Sequence, residues 1–155
     1  MKRAVFGILL FLIALGLSGA CAEASPSYNI VASANGYSVR LMAAHRSRDS
    51  AGNPIAAVEM VFTNDNSAPA SFMSCAKITG SQNGVQLPSD EMSLGQDYDW
   101  DSATTEVKDG KSITVFRALP LQSTDDPVQI TIEIVDASGW GRTLSSVSFP
   151  MQLVD

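Results

Sequence analysis

Histidine, cysteine and basic side chains are scarce in this sequence, and their scarcity excludes several classes of function. His45 is the one histidine among 155 residues, so any Ser-His-Asp or Cys-His catalytic arrangement would have to use it. It stands before a predicted turn and next to Arg46, which favours a solvated loop residue. No G-x-S-x-G segment supplies a nucleophile elbow. We therefore expect no enzymatic activity.

The two cysteines, Cys21 and Cys75, are not spaced as a metal-binding knuckle. Cys75 lies in an apolar-leaning stretch, which favours a buried thiol that packs as a small hydrophobic group. If Cys21 is retained without lipid, a disulfide between the two becomes possible in an oxidising compartment.

The charge balance is acidic. The formal net charge is −6, and the first twenty residues hold two basic residues and no acidic one, so the rest of the chain carries −8. An acidic surface argues against binding to nucleic-acid phosphates. It also argues against adsorption to anionic lipid headgroups by charge alone. We expect no nucleic-acid partner.

The first twenty residues have the three-part pattern of an export signal. Lys2 and Arg3 precede the uncharged apolar run AVFGILLFLIALGL, and small residues follow at positions 18–20. A helix over this run would be about 21 Å long, which is short for a hydrocarbon core of roughly 30 Å. The prediction is a cleaved signal peptide at residues 1–20, with an uncleaved anchor helix as the alternative.

The sequence LSGA before Cys21 resembles the lipobox of bacterial lipoproteins, in which the cysteine is lipidated and becomes the mature N-terminus. The usual leucine three positions before the cysteine is replaced by Ser18, and Leu17 lies one position further back. The segments ACA and AEA at residues 20–24 also suit ordinary signal cleavage. We expect an extracytoplasmic protein, either tethered to the bacterial membrane through lipidated Cys21 or secreted.

The rest of the chain predicts an all-β domain. Residues 21–36 are rich in alanine and serine and are interpreted as a flexible tether, with an edge strand at residues 28–32 as an option. From residue 37 to residue 155, short alternating or apolar segments are separated by turn residues. The predicted strands begin at residues 37, 55, 71, 85, 112, 128 and 142, with a further extension at 151–154. About seven or eight strands in this arrangement are typical of an antiparallel β-sandwich.

Three segments taken in order resemble a known family. They are VFTN at residues 61–64, QNGVQL at residues 82–87 and EVKDGKSITV at residues 106–115. Together they resemble an uncharacterised immunoglobulin-like domain of bacterial secreted lipoproteins, over residues 37–133. The resemblance implies an immunoglobulin-like β-sandwich at the cell surface. It implies no activity, because that family has no assigned catalytic or binding residues.

An acidic segment is the sharpest local feature. Asp97, Asp99 and Asp101 alternate with Tyr98 and Trp100. Carboxylate oxygens are ligands that Ca²⁺ prefers, but an EF-hand loop would need glycine and glutamate where this chain has serine and lysine. An irregular Ca²⁺ site formed by the three aspartates, assisted by Asp90 or Glu91, is one hypothesis, and a solvated acidic loop is the other. No other cofactor is expected.

Tyr98, Trp100 and Trp140 are candidates for partner binding, because aromatic side chains are common anchors in interfaces. The alternative is that both tryptophans fold back to cap the sandwich. The function favoured by these features is a non-enzymatic surface or secreted domain that binds a protein or glycan partner or supports envelope assembly. The alternative function is a calcium-dependent adhesion or sensor module that uses residues 97–101.

Overall fold

The computed structural model describes residues 29–88, 98–136 and 141–155. These residues form eight strands in two four-stranded antiparallel sheets, together with one short helix and one 3-10 turn. One cluster of buried apolar side chains takes members from both sheets. The predicted all-β sandwich architecture is therefore observed in the described part of the chain.

The first sheet has the order β1-β2-β3-β6. Its strands are β1 Ile30–Ala34, β2 Tyr37–Arg48, β3 Pro54–Asn64 and β6 Lys111–Pro120. β1 lies inside the segment 21–36, for which the sequence predicts a tether with an optional edge strand. It reverses into β2 through Asn35 and Gly36, both of which have positive φ. Left-handed backbone of this kind suits asparagine and glycine.

The second sheet has the order β5-β4-β7-β8. Its strands are β4 Ala76–Gln82, β5 Val85–Leu87, β7 Val128–Val135 and β8 Thr143–Met151. β4 reverses tightly into β5 through Asn83 and Gly84, which have φ values of 50° and 79°.

The core forms where the inner faces of the two sheets meet. In β7, Val128, Ile130, Ile132 and Ile134 are buried and the intervening residues are more exposed, as the period-two pattern predicts. The facing residues of β3 include Phe62, whose ring packs edge-on against Phe72. Burial of these side chains is the main force that holds the two sheets together.

The predicted start of a strand at residue 71 is wrong. Residues Phe72–Cys75 form a single helical turn, α1, and β4 begins only at Ala76. The turn is favoured locally because the Ser74 hydroxyl accepts a hydrogen bond from the backbone N–H of Ser71, the residue before the turn (3.1 Å). It buries Phe72 and Cys75 together, which a strand of period two would place on opposite faces.

Two buried polar side chains fix the loops at opposite ends of the sandwich. Asn64 donates through Nδ2 to the carbonyls of Ala68 and Val107, each at 2.8 Å. Gln82 makes four hydrogen bonds with the backbone of residues 122–126. Since buried polar groups need partners, these two side chains decide where the adjacent loops lie.

The chain changes sheets after β8. Val154 forms a parallel bridge with His45 of β2. Its N–H donates to the carbonyl of Ala44 at 2.9 Å, and its carbonyl accepts from the N–H of Arg46 at 2.6 Å. We call residues 153–155 the tail segment. It extends the first sheet beside β1 and ties the two sheets together.

Within the described ranges no helix is both long and apolar enough to cross a membrane. The predicted signal peptide and Cys21 lie outside the described residues.

Candidate functional site

The outer face of the first sheet carries both charged and aromatic side chains. Strand alternation places Glu59 of β3 and Phe116 of β6 there, directly opposite each other in the register. His45 of β2 pairs with Ala57 on the same face. These three side chains come from three neighbouring strands.

His45 and Glu59 form a pair on this face. Nε2 of His45 lies 3.1 Å from Oε2 of Glu59, and the side chains are 25% and 31% exposed. The interpretation of His45 as a solvated loop residue is wrong, because β2 continues to Arg48 and holds the imidazole against the sheet. The sequence pattern understated the length of β2 because His45 follows an irregularity in the register at residues 41–43.

Cys75 lies on the other side of the first sheet. Its thiol is buried in the core, as predicted, and it is free. Its neighbours are the Ser74 hydroxyl at 3.3 Å and Tyr37. Burial, and after it the adjacent thiol, raises the pKa of Tyr37. His45 faces outward, so the sheet itself separates the imidazole from this thiol.

Tyr98 lies over the same outer face and joins several rings. Its ring centroid is 4.9 Å from Phe116, 5.5 Å from Trp100 and 6.1 Å from His45. We call these four side chains the outer aromatic cluster. Such distances are typical of favourable ring contacts. All four are half-buried, so the cluster is packed on the sheet and still reaches the surface.

A short anchored segment holds the cluster in place. Residues Trp100–Ala103 form a 3-10 turn in which Ser102 and Ala103 are buried. The Ser102 hydroxyl donates to the carbonyl of Asp99, and the N–H of Thr104 donates to the carbonyl of Asp101. The sequence predicted only an acidic loop here; the turn forms because buried Ala103 and Val107 fix the segment against the core.

Next to Tyr98 is an open depression of about 520 Å³ at the end of the sandwich. Its lining consists of Arg46, Ser47, Arg48, Pro54, Tyr98 and Thr124. Two arginines, a tyrosine, a serine and a threonine are thus among the residues that line it. Sequence reasoning missed Arg46, Arg48, Glu59 and Phe116 as surface features. Period-two alternation alone would have placed Glu59 and Phe116 outside, although not beside Tyr98.

The structure describes only part of the predicted calcium site. Asp99 and Asp101 are exposed, whereas Asp97, Asp90 and Glu91 lie outside the described residues. Among the residues that are described, no group of three or more His, Cys, Asp or Glu side chains is arranged to hold a metal ion. The Ca²⁺ site at Asp97, Asp99 and Asp101 stays a prediction.

The structure describes two of the three aromatic residues predicted to bind a partner. Tyr98 and Trp100 both belong to the outer aromatic cluster. Trp140 lies outside the described residues. Partner binding by these side chains remains a prediction, although two of them are now located on one defined surface.

Fold and surface together define the class of protein: a small, nearly all-β domain of two antiparallel sheets with an aromatic surface on one of them. Residues 22–133 match the family model described as "Domain of unknown function (DUF5067)". The chain belongs to this family. The predicted membership of a family of unknown function is thereby confirmed.

The chain is similar to two solved structures. An NMR structure of a protein from Enterococcus faecalis shares 16% identity and a TM-score of 0.51, over 83% of this chain and 93% of that one. The crystal structure of a conserved hypothetical protein from Bacillus anthracis shares 12% identity and a TM-score of 0.48, over 76% and 94%. Likeness at such identities concerns the fold alone. No curated protein shows significant similarity to the chain.

Proposed function

We propose that this chain is an exported, non-enzymatic binding domain with an immunoglobulin-like fold, which acts at the bacterial cell surface or in the medium. The observation that carries the binding role is the outer aromatic cluster beside the arginine-lined depression. Tyrosine, tryptophan and arginine are the residue types enriched at the energetic centres of interfaces. The half-buried rings provide apolar area that is already ordered before a partner arrives.

Strand order supports the immunoglobulin-like assignment. Without β1, the remaining strands fall into the sheets β2-β3-β6 and β5-β4-β7-β8. In immunoglobulin lettering, the first sheet then contains strands A (β2), B (β3) and E (β6). The second sheet contains strands C (β4), F (β7) and G (β8). This is the distribution of the immunoglobulin sandwich. The short β5 lies next to strand C instead of strand E, and β1 is an addition at the edge.

Export and attachment rest on the N-terminal sequence. The basic residues Lys2 and Arg3, the apolar run after them and the small residues before Cys21 support signal cleavage and lipidation. Intact-mass measurement of the mature protein from membrane and medium tests this. A mass that starts at Cys21 and carries acyl chains supports the tethered form. A mass that retains residues 1–20 would contradict cleavage.

Partner binding is tested by cross-linking on intact cells of the producing bacterium. We compare the wild-type chain with Trp100→Ala, which removes one ring of the cluster, and with Ser47→Trp, which fills the depression without removing a packed ring. Val85→Ala is the matched control, because Val85 is 49% exposed and lies on the opposite sheet. Circular dichroism verifies that each variant is folded.

The proposal expects the same cross-linked species with the wild-type chain and Val85→Ala, and its loss with Trp100→Ala and Ser47→Trp. Equal recovery from all four proteins would show that the partner contacts another surface. No recovery from the wild-type chain under several cross-linkers would contradict the binding role itself.

A further inference from the structure

The depression beside Tyr98 concentrates positive charge on an acidic protein. Arg46 and Arg48 are two positions apart on β2, so their side chains leave the strand on the same side. Both residues line the depression, together with Ser47 and Thr124. The rest of the chain after residue 20 carries a net charge of −8. A local pair of guanidinium groups in such a background favours an anionic ligand.

Arg46 is held in position before any ligand binds. Its Nε donates to the carbonyl of Thr124 at 3.0 Å, and its Nη1 donates to Oδ1 of Asp155 at 2.7 Å. Thr124 belongs to the loop that the buried Gln82 side chain fixes. The guanidinium therefore has one structural partner, the Thr124 carbonyl, and one carboxylate partner that comes from the tail segment.

The contact with Asp155 shows that the Arg46 guanidinium binds a carboxylate. The Asp155 side chain is 90% exposed, whereas that of Arg46 is 37% exposed. Exposed ion pairs of this kind are weak, since water solvates both charges. The backbone of Val154 holds the tail segment against β2 independently of this side chain. An external anion can therefore replace the Asp155 carboxylate without unfolding the tail segment.

Arg48 is the second arginine that lines the depression. Its Nη1 donates to the carbonyl of Gly52 at 2.8 Å, and a guanidinium has further N–H donors to offer. The neighbouring Asp49 carboxylate accepts from the N–H groups of Ala51 and Asn53 and from the Asn53 side chain. These hydrogen bonds, the one from the Asn53 side chain first, lower the pKa of Asp49. Its charge is thus engaged within its own loop.

Two further acidic residues follow Thr124. Asp126 accepts a hydrogen bond from the Asn83 side chain at 3.0 Å, and Asp125 is exposed. Glu59 pairs with His45 on the adjoining face. In the described residues, Asp155 is thus the carboxylate that directly contacts an arginine of the depression.

We propose that this depression binds an oxyanion, either a carboxylate or a phosphate group, of a ligand whose ring or apolar part lies against Tyr98. Asp155 acts as an internal competitor for the same guanidinium of Arg46. The inference rests on the proposed binding function and names the chemistry of one ligand group. Arginine suits this role because its planar donor fork matches both carboxylate and phosphate oxygens.

The test is an NMR titration of the folded protein, residues 21–155, with inorganic phosphate and with glucuronate, which adds a sugar ring to the carboxylate. Vesicles containing phosphatidylglycerol form a third arm and distinguish a lipid headgroup from a free anion. Arg48→Gln is expected to weaken binding by about fivefold or more, and Arg48→Lys by less, because the point charge remains. Asp155→Asn is expected to strengthen binding by about two- to fivefold, the range of an exposed ion pair.

Lys108→Gln and Asp109→Asn are the matched controls. Lys108→Gln removes one positive charge, as Arg48→Gln does, and Asp109→Asn removes one negative charge, as Asp155→Asn does. Both control residues are exposed and lie just before β6, at the end of the first sheet away from the depression. Binding that weakens in Arg48→Gln, strengthens in Asp155→Asn and stays unchanged in both controls supports the inference. Binding that follows net charge equally in all four variants, or no binding of any probe to the wild type and Asp155→Asn, overturns it. Cross-linking that still depends on Trp100 would leave the binding function standing in that case.

Discussion

Replacement of the buried Gln82 is expected to cost the domain a large part of its stability. Its Oε1 accepts from the N–H groups of Gln122 (2.9 Å) and Ser123 (3.2 Å), and its Nε2 donates to the carbonyls of Ser123 (2.9 Å) and Asp126 (3.1 Å). The side chain is 1% exposed. Gln82→Ala removes all four hydrogen bonds and leaves four backbone groups to be satisfied by water, if water can enter.

The magnitude follows from the number of bonds. At about 0.5–1.5 kcal/mol net for each hydrogen bond, with partial replacement by water, we expect Gln82→Ala to lower the free energy of unfolding by about 2–4 kcal/mol. Unfolding entropy of about 2.1 cal/mol/K per residue converts a loss near the middle of this range into a fall in Tm of roughly 10 °C. Urea unfolding measured by circular dichroism gives the free energy directly.

Gln86→Ala is the control, because Gln86 is exposed on β5 and its truncation should change stability by less than about 0.5 kcal/mol. Gln82→Glu adds a pH signature. Burial raises the pKa of a carboxyl group, so this variant should be least destabilised below about pH 4 and lose further stability as pH rises through the raised pKa. A cost below about 1 kcal/mol for Gln82→Ala, or one equal to that of the control, would refute the reasoning.

Three further replacements test other parts of the fold by the same denaturant assay. Phe62→Ala should cost about 3–5 kcal/mol, because the ring is fully buried; a cost below about 2 kcal/mol would contradict a close-packed core. Asn64→Ala should cost about 2–3 kcal/mol, since Asn64 is completely buried and hydrogen-bonded to two carbonyls. Asn29→Ala, at an exposed position just before β1, is its comparison. The hydrogen bond from Lys77 lowers the pKa of Glu133, so the Glu133 carboxylate stabilises the fold at pH 7. Glu133→Gln should therefore lower the free energy of unfolding at pH 7, by less than about 1 kcal/mol because the pair is partly exposed. This difference should vanish as pH falls to about 3, where Glu133 becomes protonated. A loss of stability in Glu133→Gln that grew as the pH fell would contradict a stabilising role of the ionised Glu133.

Much of the fold could be predicted because the strands obey simple periodicity. β7 alternates buried isoleucines with polar residues, and the Asn83 and Gly84 turn has the positive φ values that its composition indicates. These features depend on neighbours in the sequence, so a pattern of a few residues carries the information. The sheet order depends on long-range pairing, which no local pattern contains.

The helical turn at Phe72–Cys75 could not be predicted from the sequence. Four residues are too few to establish a helical period, and Phe72 and Cys75 also suit a strand. Locally, the turn is favoured by hydrogen bonds between Ser71 and Ser74. The burial of Phe72 against Phe62, which is a tertiary contact, then stabilises it.

The candidate site depends even more than the helix on contacts between residues far apart in the sequence. Tyr98 and Trp100 were recognised as chemically distinctive, but their surroundings come from strands far away in the sequence. Tyr98 meets His45 and Phe116 only because the segment before β6 returns across the outer face. Arg46 in addition meets Asp155 only because the tail segment lies against β2. Contacts with such sequence separations become visible only in three dimensions.

The pairing of β1 with β2 also determines which end of the domain faces a point of attachment. Ile30 pairs with Leu41, and β2 then runs on to Arg48, about 23 Å further at 3.3 Å per residue. Since the strands are antiparallel, the chain enters β1 from the end of the sandwich that holds the depression. Under the proposed lipid attachment at Cys21, the nine or so residues before Ile30 can span at most roughly 30 Å. The depression would then lie in the gap between domain and membrane, and the spacer length would set the size of ligand that can enter it.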